Sequence, residues 1–153
     1  MPVDVELVRR RVLEAEACIA ELKRLAGIPF AELSRDQVYS MRYNIIVLVE
    51  SVVSLAVHVL VEDYGYAPEY YVEAVGELAR RLGLRGGCVE ELKALVRLRN
   101  LLVHRYWAID DKRIYENVRR DFKCVESLLR EVRVRYGGDK VLHGEPRGDR
   151  GEA

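Results

Sequence analysis

Ile45-Ile46-Val47-Leu48-Val49-Glu50-Ser51-Val52-Val53-Ser54-Leu55-Ala56-Val57-His58-Val59-Leu60-Val61 is the stretch whose reading decides the fold. Apart from Glu50, Ser51, Ser54 and His58 it is entirely aliphatic. It is far longer than an ordinary strand. A membrane span is disfavoured, because Glu50 and His58 interrupt a run that barely reaches the required length. What remains is an α-helix apolar nearly all round, and such a helix must be buried on most sides. In a chain of 153 residues the other helices are too few to cover every side, so the run predicts a homodimer. Glu50, Ser54 and His58 fall at i, i+4 and i+8 and draw a polar stripe down this helix. The stripe is either a hydrogen-bonded structural feature or the candidate lining of a cleft.

Working outward, Ser34 with Gln37 three residues on forms a capping box that starts this helix, which should run to about Asp63. Upstream, Val5, Val8, Val12, Ala15, Ile19 and Leu22 recur at helical spacing and predict a helix over 4–26, stopped by Gly27 and Pro29. Downstream, residues 64–68 read as a loop. A third helix follows from Glu69 or Tyr70 to about Leu82, ended by Gly83, Gly86 and Gly87. The tyrosines of this region are expected to pack against the loop; a nucleotide-stacking surface is the other reading. A fourth helix is predicted over 88–104, with Val89, Leu92, Leu95, Val96 and Val103 as core candidates. A fifth runs without interruption from about Lys112 to Arg135, capped by Asp110 or Asp111. From Gly137 the chain turns to glycine, proline and charge. Residues 1–136 are therefore expected to form one domain and 137–153 a flexible tail. Strand signals and internal repeats are absent. The expected architecture is all-α, an up-and-down bundle of four main helices plus one shorter helix.

Lys plus Arg equals Asp plus Glu, 25 of each, which excludes a protein that grips nucleic acid by bulk charge. Any such contact must be local, and Lys93, Arg97, Arg99 and Arg105 make a local basic patch. The three cysteines, Cys18, Cys88 and Cys124, are far apart and form no zinc-type cluster. They read as free thiols of a reducing compartment. With no signal pattern at the N-terminus, the protein is expected in the cytoplasm, with no membrane association and no metal.

The chemically capable residues crowd into Arg99-Asn100-Leu101-Leu102-Val103-His104-Arg105-Tyr106-Trp107. On a continuous helix Arg99 and Tyr106, seven apart, share a face, whereas Arg99 and His104 diverge by about 140°. Either the helix ends or distorts near His104, or the site is completed across a two-fold axis. On spacing alone Arg99, His104 and Arg105 are cations at a helix C-terminus, with Leu98, Leu101, Leu102 and Trp107 in the core.

The order Arg-Asn-x-x-x-His-x-Tyr, in this helical context from about Leu7 to Leu129, resembles the HEPN superfamily and in particular the HepT toxins. The resemblance implies a HEPN-like bundle and a metal-independent endoribonuclease without cofactor, the toxin of a type II toxin–antitoxin system. It implies a general base at His104 and a cation for the phosphorane at Arg99. Asn100 would orient His104 or a phosphate oxygen, and Lys93, Arg97 and Arg105 would support RNA binding. These roles suit the residues, since histidine is matched to proton removal near neutral pH and arginine offers two parallel donors. It further implies a partner, an MNT-type nucleotidyltransferase antitoxin that transfers AMP to Tyr106. HepT-like chains often carry an acidic residue near the position of Ser54, and serine stands there in this chain. A non-catalytic nucleotide- or substrate-binding subunit of a nucleotidyltransferase complex is the alternative.

Overall fold

A computed structural model describes residues 2–138. The tail expected over 137–153, with His143 in it, lies outside the described residues from position 139 on. Six α-helices and no strand occur among the described residues: α1 Val5–Ala26, α2 Arg35–Tyr64, α3 Tyr71–Arg81, α4 Cys88–His104, α5 Asp111–Arg120 and α6 Lys123–Tyr136. Local chemistry sets most boundaries. Asp4 caps α1 by accepting from the Glu6 and Leu7 amides at 3.0 and 3.1 Å. Ser34 and Gln37 close the capping box of α2 at 3.1 and 2.9 Å. Gly65 ends α2 at φ 62°, a left-handed conformation that only glycine adopts without strain. Asp110 caps α5.

The long helix α2 is the spine. By length and composition it is apolar enough to cross a membrane, yet more than half of its most apolar window is buried by the other helices. Leu48, Leu55, Ala56, Val59 and Leu60 are fully enclosed, packed with Leu22 and Leu25 of α1, Leu78 of α3, Leu92 of α4 and Leu128 of α6. Each such aliphatic side chain contributes about 1.5–3 kcal/mol by leaving water. Ile46, Val47 and Val57 stay half-buried, and Tyr39, Tyr43 and Val61 are exposed.

Three expectations need correction. The predicted fifth helix is two helices. Asp121 is fully extended (φ −178°, ψ 174°) and its carboxylate accepts from the Lys123 amide at 3.1 Å, restarting the helix. Phe122, between the two helices, is still in the core, 8% exposed. Second, Cys88 and Cys124 are joined in a disulfide, with Cα atoms 5.2 Å apart, and only Cys18 is free. The pairing follows from the fold, which sets the first turns of α4 and α6 side by side. Third, Val103 and Trp107, expected in the core, are 38% and 68% exposed.

Candidate functional site

The site is built on the last three turns of α4. Lys93, Arg97, Asn100 and His104 succeed one another at i, i+4, i+7 and i+11, the spacing of one helix face. They line one wall of a groove of about 950 Å³, together with Arg99. The other wall comes from the loop before α3 and from α3 itself, with Tyr66, Glu69, Tyr70, Tyr71, Glu73 and Glu77. Behind the groove, at Gly76, an added Cβ would stand 3.1 Å from Cγ, Cδ and Cε of Lys93. Glycine there lets the lysine stem lie across α3.

Arg99 is held from three sides. Its Nη2 pairs with the Glu50 carboxylate of α2. Its Nη1 donates to Oδ1 of Asn100 at 3.0 Å. Its guanidinium carbon sits 5.9 Å from the centre of the Tyr71 ring. The side chain is only 15% exposed, and Nε is buried without a partner among the described residues. A buried donor left unpaired costs about 1–3 kcal/mol. Asn100 therefore holds Arg99 in this structure, whereas the resemblance implied a role at His104 or a phosphate.

The angular conflict between Arg99 and His104 is resolved by the position of the groove. On an ideal helix Arg99 lies about 100° to one side of Asn100 and His104 about 40° to the other, yet all three line the groove. The long arginine side chain spans the larger angle. His104 is the last residue of α4 and is exposed. The helix stops there: Arg105 leaves helical space (φ −137°, ψ 46°) and Tyr106–Ala108 form a 3₁₀ turn. Tyr106 thus does not continue the helix onto the face of Arg99. It is 65% exposed, edge-on to the Trp107 ring at 5.3 Å, and lies outside the groove, as does Arg105.

The polar stripe of α2 divides. Glu50 reaches the site through Arg99. Ser54 instead accepts from Arg11 Nε at 3.1 Å, and His58 Nε2 accepts from the Asp4 amide at 2.8 Å, so both hold α1. Glu50, Ser54 and His58 do line a second, smaller groove, which shares Tyr71 with the first.

Two features near the site were not singled out from the sequence. Tyr71 beneath Arg99 was grouped with loop-packing tyrosines. Arg42 of α2 grips Asp111 with two parallel bonds of 2.8 and 2.6 Å, which raises the arginine's pKa further above its ordinary value. The pair anchors the start of α5 and so the far end of the turn carrying Tyr106. A signal for the groove wall existed in the Lys93/Arg97/Asn100/His104 spacing; none existed for the Arg42–Asp111 pairing, 69 residues apart. Among the described residues no three His, Cys, Asp or Glu side chains gather as a metal-binding group.

Compared with known families, residues 15–132 match the model described as Ribonuclease HepT-like. Comparison with curated proteins finds no match.

Proposed function

The chain belongs to the ribonuclease HepT-like family of HEPN proteins, and from that premise we propose that it is a metal-independent endoribonuclease, the toxin of a type II toxin–antitoxin system. The observation that carries the proposal is the convergence of Arg99, Asn100 and His104 on one groove within the matched segment. His104 takes the proton of an RNA 2′-hydroxyl, O2′ attacks the adjacent phosphorus, and the bond to O5′ breaks. The leaving O5′ takes up a proton, and the product end is a 2′,3′-cyclic phosphate. Arg99, preset by Asn100 and Tyr71, stabilises the charge gathering on the phosphorane. Lys93 and Arg97 hold the flanking backbone. A cytoplasmic setting would rest on the nuclease reading alone, because the Cys88–Cys124 disulfide removes the free-thiol argument for a reducing compartment.

A homodimer is part of the proposal, supported by Tyr39, Tyr43 and Val61 exposed on α2. So is neutralisation by an MNT-type nucleotidyltransferase antitoxin. Exposure of Tyr106 on a turn at the groove's end suits it as an acceptor: its oxygen would attack the α-phosphorus of ATP and expel pyrophosphate. The adduct would place negative charge close to Arg99 and His104, against an incoming RNA phosphate. Co-expression with the nucleotidyltransferase should add about 329 Da per AMP group, and the adduct should vanish in Tyr106→Phe.

One observation favours the non-catalytic alternative. Glu50 already neutralises Arg99 in the free chain. The two readings part on one assay: unmodified protein, purified with chelator present, should cut RNA, and failure of every RNA tested to be cut would leave the binding-subunit reading.

A further inference from the structure

The tyrosines between α2 and α3 fall into two pairs with different surroundings. Tyr64 and Tyr66 serve the fold: the Arg81 guanidinium lies 4.6 Å from the centre of the Tyr64 ring and 5.5 Å from that of Tyr66, and the Tyr66 hydroxyl donates to Glu73. Tyr70 and Tyr71 are less engaged: only Tyr71 has an arginine over its ring, Arg99 at 5.9 Å. They are 69% and 49% exposed, and among the described residues neither hydroxyl makes a hydrogen bond. Both line the groove opposite the basic face of α4. Two adjacent rings held open to water beside Arg99 leave apolar faces uncovered that the core does not need.

The charge of the groove is also one-sided. The α4 wall carries Lys93, Arg97 and Arg99, while the α3 side carries Glu69, Glu73 and Glu77 against one cation, Arg80, which is paired with Glu77. A phosphate is therefore favoured against α4. The part of a nucleotide that extends towards α3 is then a neutral one, and of its neutral parts, ribose and base, only the base has a flat face to lay on a ring. The aromatic faces stand where that base would arrive.

We propose that Tyr70 and Tyr71 form a stacking platform for an unpaired base, making single-stranded RNA the substrate class of the groove; this rests on the nuclease reading above. A base engaged in a duplex is already stacked and cannot reach the platform without unpairing. Stacking on an aromatic ring tolerates any base, so the platform selects strandedness rather than sequence. Tyr71 also packs beside Arg99, so a stacked base and the phosphate it belongs to would be fixed by neighbouring groups.

The test uses the full-length chain and fluorescein-labelled 2′-O-methyl oligonucleotides of about ten nucleotides, which offer no 2′-hydroxyl to attack. Binding thus reads the platform whether or not cleavage occurs. Anisotropy should show the single strand bound at least tenfold more tightly than the same sequence in a duplex. Tyr70→Ala with Tyr71→Ala should weaken single-strand binding by about tenfold or more and keep the circular dichroism of the parent. Tyr71→Phe, which retains the ring, should bind as the parent does. Equal affinity for duplex and single strand overturns the proposal, as does unchanged binding in the alanine variant or absence of binding. Binding as expected without cleavage of unmodified RNA would instead sink the nuclease reading and leave the platform standing.

Discussion

The α1–α2 hairpin and the end of α4 use polar side chains in opposite ways. In the hairpin the polar groups that meet across the helices are spent on one another: Arg11 on Ser54, Ser51 on the Glu14 carboxylate at 3.3 Å, the Asp4 amide on His58. At the end of α4 a buried arginine nitrogen has no partner among the described residues, and histidine, tyrosine and tryptophan stand in solvent. The α2 stripe runs through both regions. Ser54 and His58 were absorbed by the hairpin, and Glu50 alone was left to the groove. Equal spacing on one helix thus gave different fates, decided by what packs opposite each residue.

The strongest way to break this contrast is at α4. Arg99→Ala and His104→Ala should each lower RNA cleavage by a hundredfold to a thousandfold, with the thermal transition close to that of the parent. Chelator should leave the rate unchanged, and loss of cleavage in EDTA would reject the metal-free mechanism. Next comes the disulfide, which closes a loop across 36 positions. Reducing it, or replacing both residues by Cys88→Ser and Cys124→Ser, should cost about 3 kcal/mol, a fall in Tm of roughly 10 °C. A scan unchanged by reductant would show that packing alone holds α4 to α6. Smaller again is Glu50→Gln, which removes the charge opposing phosphate on Arg99. It should lower KM for RNA several-fold with little change in kcat, whereas a raised KM would make Glu50 a group that positions Arg99 for substrate. Ser54→Ala sharpens the comparison from the other side: about 1 kcal/mol of stability or less, with cleavage kinetics untouched.

Most helix boundaries were legible because their causes are local. Ser34 with Gln37, and Gly27 after the α1 stripe, act through neighbours in the chain. The break before α6 was not legible, since Asp121-Phe122 contains neither glycine nor proline and the heptad-like run of Ile114, Val118, Phe122 and Val125 reads straight through it. No local signal marks the break, so its cause is tertiary. The Cys88–Cys124 pairing is tertiary for the same reason. At the site, Arg99 and His104 were readable as residue types, and the wall from Lys93 to His104 as a spacing. Their meeting in one groove was not, because helix angles alone argue for divergence and take no account of arginine's reach. The end of α4 at His104 agrees with the helix expected over 88–104, and because the helix ends there the seven-residue spacing does not carry Tyr106 onto the face of Arg99.

The disulfide also makes a covalent ring of residues 88–124, and the turn at Tyr106–Ala108 lies inside it. A protease that nicks this exposed turn cannot release either fragment. The two pieces would migrate as one band without reductant and as two with it. A nick at Gly86–Gly87, outside the ring, would leave no such link. The segment bearing the groove's catalytic candidates is therefore tethered at both ends even after its own backbone is cut.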